Sequence, residues 1–142
     1  MITYALLFLL IIQCLILGFI ISGGSSGSRL RSAEVFNPVT GTSYPVEDLL
    51  HPRSHAPMCN NMICGGSESH DASRSCEIFD GSSSFKRLPV TLMKRRLDHL
   101  CWALKSGEII LFGGKHSMKT TERISADGSS SSLAFTLPYN TR

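Results

Sequence analysis

A chain of 142 residues, 42% hydrophobic and 18% charged, has the length of one ordinary domain and a composition that excludes wholesale disorder. Its formal charge of +3 is too small to imply a nucleic-acid partner.

The first element is apolar. From Ala5 to Ile21 no residue is charged and only Gln13 is strongly polar. Residues 1–18 read as a hydrophobic helix, either a cleaved secretory signal or a short membrane anchor. No Lys or Arg precedes the run, and no A-x-A-like cleavage site comes after it. A soluble chain or a misplaced start is the remaining reading. A membrane is a partner only if this segment stays attached.

Beyond it the sequence repeats. Short apolar runs, "GFIIS", "NMIC" and "EIILF", each end in a double glycine: Gly23-Gly24, Gly65-Gly66 and Gly113-Gly114. After each pair come a polar loop and a segment opened by glutamate: Glu34, Glu77 and Glu122. A turn signal and an aromatic come next, at Tyr44, Phe85 and Phe135. Between units stands an arginine with a histidine nearby, Arg53 with His55 and Arg96 with His99. The glycine pairs are 42 and 48 residues apart, the glutamates 43 and 45, the arginines 43. Five landmarks in one order define repeats over 19–50 (partial), 51–92 and 93–142.

Val, Ile, Phe and Leu runs bounded by Gly, Asn, Asp, Ser and Pro predict β-strands, and no helical period appears after the N-terminus. "CNNMIC" and "LKSGEII" predict hairpins, because Asn and Gly tolerate the positive φ of tight turns. Each full unit supplies about four antiparallel strands, the signature of a propeller blade. A double glycine suits a crowded inner strand, where the absence of Cβ permits close approach. The glutamate either pairs with the inter-unit arginine or lies solvated at the surface.

Cys59, Cys64, Cys76 and Cys101 form an even set after the N-terminal segment, which suggests two disulfides with three possible connectivities. Buried free thiols are the alternative. A zinc site from Cys59, Cys64, His70 and Cys76 lacks the C-x2-C spacing that such sites show. Gly23–Gly27 fits G-x-S-x-G, but the next stretch, "SRLRSAEVFNPVTG" from Ser28, alternates like a strand, where a nucleophile elbow needs a helix. No catalytic residue, cofactor site or metal site emerges. The basic stretch Lys94–His99 and the pair Lys86-Arg87 suit either an acidic partner or a solvated surface.

These units resemble the kelch repeat. Arg53–Phe85 and Arg96–Phe135 match it almost fully, and Phe19–Tyr44 matches its later part. The closing aromatic, usually Trp in that family, is Tyr44, Phe85 or Phe135 here, and Trp102 lies on an arginine-led strand. The resemblance implies an all-β, partial kelch-type β-propeller of about three blades after the N-terminal helix. It further implies a non-catalytic scaffold for protein–protein binding, with Ser25–Ser32, Ser67–Ser75 and Lys115–Thr120 as the contact loops. The expected setting is secreted, with a single-pass membrane or intracellular adaptor as alternative. Some kelch propellers are copper oxidases of the galactose oxidase kind. Tyr44, Tyr139 and the five histidines show no convergent pattern for such a centre. A propeller closes with about four to eight blades, so the chain reads as truncated, divergent, or completed by an assembly.

Overall fold

The computed structural model describes residues 18–66 and 69–139. The signal peptide, anchor or hydrophobic helix expected for the N-terminal segment lies, through residue 17, outside the described residues. Within them the protein is all-β, with one 3₁₀ turn at Ala72–Arg74. No helix among the described residues is long and apolar enough to cross a membrane.

The first sheet contains β1 (Phe19–Ser22), β4 (Ala33–Asn37) and β5 (Thr42–Val46), paired antiparallel in the order β1-β4-β5. Phe19–Ser22 therefore belong to a sheet, Ile20 lying opposite Val35. Between β1 and β4 a two-stranded ribbon forms from β2 (Ser25–Ser26) and β3 (Ser28–Arg29). Ser25 thus opens a ribbon, and the strand–turn–helix of a nucleophile elbow is not formed.

The second sheet is a four-stranded antiparallel meander of β6 (Met58–Cys59), β7 (Met62–Cys64), β8 (Ser75–Phe79) and β9 (Phe85–Thr91). The third repeats it with β10 (Leu100–Ala103), β11 (Ile109–Phe112), β12 (Thr120–Ile124) and β13 (Ser131–Thr136). Both expected hairpins form. Asn60 and Asn61, with φ of 49° and 61°, turn β6 into β7. The turn into each last strand is held by a side-chain cap: Asn37 Oδ1 accepts from Val39 N, Asp80 Oδ1 from the amides of Ser82, Ser83 and Ser84, and Asp127 Oδ1 from Ser129 N. Hydrogen bonds from Ser125 and Ser129 hold the Asp127 carboxyl down at about 2.

Two apolar clusters lie between the sheets. Ala33, Val35 and Leu49 pack against Ile63, Phe79 and Phe85 between the first and second sheets. Met62, Leu88, Val90 and Leu92 pack against Ile109, Leu111 and Ile124 between the second and third. Leu49 and Leu92, in the linkers after β5 and β9, are fully buried, and each such side chain contributes roughly 2–3 kcal/mol of hydrophobic stabilisation. Side chains alternate across each strand, so the middle sheet buries Ile63 toward one neighbour and Met62 and Cys64 toward the other.

Candidate functional site

The two linker arginines organise the end of the stack that carries the double glycines. Each is tied by its main chain to the sheet before it. Gly24 N donates to Arg53 O at 2.8 Å, and Gly66 N donates to Arg96 O at 2.9 Å. Each sends its guanidinium into the sheet after it. Arg53 Nη1 donates to the carbonyls of Gly65 (2.5 Å) and Ala72 (3.0 Å), and Nη2 to Ser75 Oγ and Glu77 Oε1, both at 2.7 Å. Arg96 Nη1 donates to Gly113 O (2.7 Å) and Thr120 O (3.1 Å), and Nη2 to Thr120 Oγ1 (3.1 Å) and Glu122 Oε2 (3.3 Å). Linker amides complete both carboxylates: Leu50 N donates to Glu77 at 2.7 Å, and Met93 N to Glu122 at 2.5 Å.

All four charged side chains are fully buried. Burial pulls both guanidinium pKa values below their ordinary range, against the opposing pull of the paired glutamates. Arginine stays protonated throughout, and its planar fork of five donors suits a site rich in carbonyl oxygens. Glu34, at the same place in the first sheet, is different. It is partly exposed, accepts from Ser43 Oγ at 2.9 Å, and has no arginine paired with it among the described residues.

The double glycines are where these connections pass closest. A Cβ on Gly23 would lie 2.4 Å from Arg53 O, and one on Gly65 2.5 Å from Arg96 O. Both have positive φ, as do Gly24, Gly66, Gly113 and Gly114.

Beside these turns a cleft of about 670 Å³ is lined by Ser22, Gly24, Ser54, His55, Asp98 and His99, among others. His55 Nδ1 and Asp98 Oδ1 are 2.7 Å apart, and Asp98 N donates to His55 O at 3.0 Å. Both residues have left-handed backbones, with φ of 57° and 54°. They stand two positions after Arg53 and Arg96 respectively. The structural equivalent of His55 is therefore Asp98, and the histidines of the sequence repeat, His55 and His99, occupy different places. His99 is buried, its two ring nitrogens find no partner among the described residues, and burial lowers its pKa to about 4. No hydroxyl or thiol among the described residues bonds to Nε2 of His55.

No protein-family model matches the chain, and no curated protein matches its sequence.

Residues of the three variable loops bond to the linkers at this end of the stack. Arg29 Nε, from Ser25–Ser32, donates to Ser54 Oγ at 3.0 Å. Ser73 Oγ, from Ser67–Ser75, accepts from Arg95 Nε at 3.0 Å. Lys115 N, from Lys115–Thr120, donates to Leu97 O at 2.8 Å, and Lys115, His116 and Met118 share a second cavity with Asp98. Of the basic stretch, Arg96 is buried in its junction, whereas Lys94 is exposed. Lys86 and Arg87 are exposed on β9.

The cysteines form two disulfides. Cys64 and Cys76 are direct cross-strand partners on β7 and β8, and Cys59–Cys101 joins β6 to β10, the first strands of the second and third sheets. With these sulfurs bonded to one another, the zinc arrangement of Cys59, Cys64, His70 and Cys76 is not formed, and no cluster of metal-ligating side chains occurs among the described residues.

Proposed function

We propose that this chain is a secreted, non-catalytic binding scaffold of the kelch type, a partial propeller of about three blades whose loops after the double glycines hold a protein partner. One observation carries the reading: the same arginine, glutamate and double glycine are used at two successive junctions, and the loops that vary between units converge on one end. Repetition of this kind fixes a rigid frame and leaves recognition to the loops. The left-handed His55 and Asp98 belong to that end, and strained backbone is concentrated where a surface is shaped for contact. The two disulfides favour an oxidising compartment.

Site-directed photo-crosslinking tests this reading. A photoreactive residue at His116, in a contact loop, is expected to capture the same discrete protein as one at Ser26. One at Ser82, on the opposite turn, is expected to capture none. Equal capture from both ends sinks the loop assignment. N-terminal sequencing of the mature chain separates the secreted form from the membrane-anchored one.

A further inference from the structure

We infer that the cleft beside the glycine turns is an anchor pocket for an uncharged tyrosine side chain of the partner protein, its phenol hydroxyl bonded to the His99 ring. The inference rests on the scaffold reading and names the chemistry of the partner at that same end of the stack.

It starts from a position where the fold asks for little. His99 comes three residues after Arg96, as Ala56 comes three after Arg53. The two pack alike: a Cβ added to Gly66 would meet the Cβ of Ala56, and one added to Gly114 would lie 3.0 Å from the Cβ of His99. The earlier junction therefore closes with a methyl group at this place. The imidazole of His99 is additional to what the later one needs.

That imidazole is also unsatisfied. His99 is 4% exposed and lines the cleft, and neither Nδ1 nor Nε2 has a hydrogen-bond partner among the described residues. A buried donor or acceptor left without a partner costs about 1–3 kcal/mol, which a ligand group reaching it recovers. The walls that surround the ring come from the β1 turn, the two arginine linkers and β7.

The surroundings select the group. Burial keeps the ring neutral, and Arg96 and Asp98 act on it with opposite signs. A cation brought to the ring meets Arg96 and an anion meets Asp98, so the tip that fits is uncharged. A neutral imidazole has one donor and one acceptor nitrogen, and a hydroxyl serves either, because it both donates and accepts. Ala56, Pro57 and Ile63 add apolar wall. The volume of about 670 Å³ lies in the range of about 300–1,000 Å³ usual for sites that take small organic groups. A serine or threonine side chain would leave most of it empty. An aromatic body with a polar tip fills the cleft and reaches the ring, and tyrosine is among the residues that most often anchor protein interfaces. At the rim the Asp98 carboxylate, exposed and bonded to His55, disfavours a phosphorylated ring.

N-acetyl-tyrosinamide, N-acetyl-phenylalaninamide and N-acetyl-phosphotyrosinamide are the probes, titrated into the full oxidised chain in a mild detergent that shields the N-terminal segment. Isotope-labelled histidine lets proton–nitrogen correlation spectra read the His99 ring nitrogens directly. The tyrosine probe is expected to shift them saturably and to bind about tenfold tighter than the phenylalanine probe. The phosphotyrosine probe is expected to leave them unmoved. His99→Ala, keeping both disulfides and a native near-ultraviolet spectrum, is expected to bind the tyrosine and phenylalanine probes equally. Equal affinity for those two in the wild type overturns the inference. So does a ring shift caused by the phosphotyrosine probe, a tyrosine preference that survives His99→Ala, or ring nitrogens that report bonds to water alone at every probe concentration. The probes need no partner protein, so failed photo-crosslinking counts against the scaffold reading and not against this result. A partner captured from Ser26 and His116, with the tyrosine probe ignored, removes the anchor and keeps the scaffold.

Discussion

Arg53 Nη1 lies 2.5 Å from the carbonyl oxygen of Gly65, while the carbonyl of Arg53 itself accepts from Gly24 in the preceding sheet. One residue is therefore bonded to the double glycines of two sheets, and Arg96 repeats the arrangement one junction later. The buried Arg–Glu pairs are costly to assemble, since two charges leave water, but far more costly to leave half-made.

A double-mutant cycle exposes that asymmetry. Arg53→Met leaves Glu77 buried without its cation and is expected to cost about 3–5 kcal/mol, as is Glu77→Met. The double variant is expected to cost at least about 1–2 kcal/mol less than the sum of the two, because no lone charge is left inside. Urea unfolding of the four proteins measures the coupling. Strict additivity would show that the pair does not act as a unit.

The close approach at Gly65 predicts a contrast between glycines. Gly65→Ala places a methyl 2.5 Å from Arg96 O on a backbone with φ of 67°, so the junction must shift, at an expected cost above about 3 kcal/mol. Gly81→Ala, with φ of 86° and nothing within 4 Å of the new Cβ, bears only the backbone cost of about 1–2 kcal/mol. Thermal unfolding should rank the two well apart.

The two disulfides close segments of different length, with sequence separations of 42 for Cys59–Cys101 and 12 for Cys64–Cys76. Chain entropy alone assigns them about 4 and about 3 kcal/mol respectively. Removing Cys59–Cys101 by paired alanines is expected to destabilise more, and in addition to loosen the contact between β6 and β10. Guanidinium midpoints of the two double variants check the order.

His99 makes stability depend on pH. Its pKa lies at about 4 in the folded chain, against 6.5 ordinarily, because burial disfavours the imidazolium. Between those values the unfolded chain binds the proton and the folded one does not, so stability rises with pH across this window. The contribution is complete above about pH 6.5 and is lost progressively as the pH falls toward 4, by at most roughly 3 kcal/mol. Against the wild type, His99→Phe is expected to flatten the slope between pH 6.5 and 4, read from unfolding midpoints. An unchanged slope would place the titrating group elsewhere.

Much of the all-β architecture was legible because glycine, asparagine and aspartate punctuate it. Asn60-Asn61 and the Asp80 and Asp127 turns sit where the turn chemistry put them. Which way each strand faces was not legible. A sheet covered on both sides buries apolar residues on both, as "MIC" does, and "FIIS" and "IILF" are apolar on both faces with only one covered, so alternation gives no sign. Glu77 and Glu122 were equally readable as solvated or paired, because their burial depends on donors from linkers 24 to 29 residues away. The histidine of the repeat misled as well: counting from the arginine, not from the residue type, puts Asp98 beside His55. Disulfide connectivity required the register of β7 with β8 and the stacking of β6 on β10, neither of which cysteine spacing encodes.

The covalent ties are unevenly shared. Cys59–Cys101 fastens the second sheet to the third, whereas β1, β4 and β5 contain no cysteine and join their neighbour through the Arg53 junction and one apolar cluster. Native-state hydrogen exchange should therefore find two cooperative units, with the amides of β1 and β4 opening at a lower free energy than those of β8 and β11. Under mild denaturant or protease the first sheet peels away while the disulfide-linked pair persists as a residual folded body.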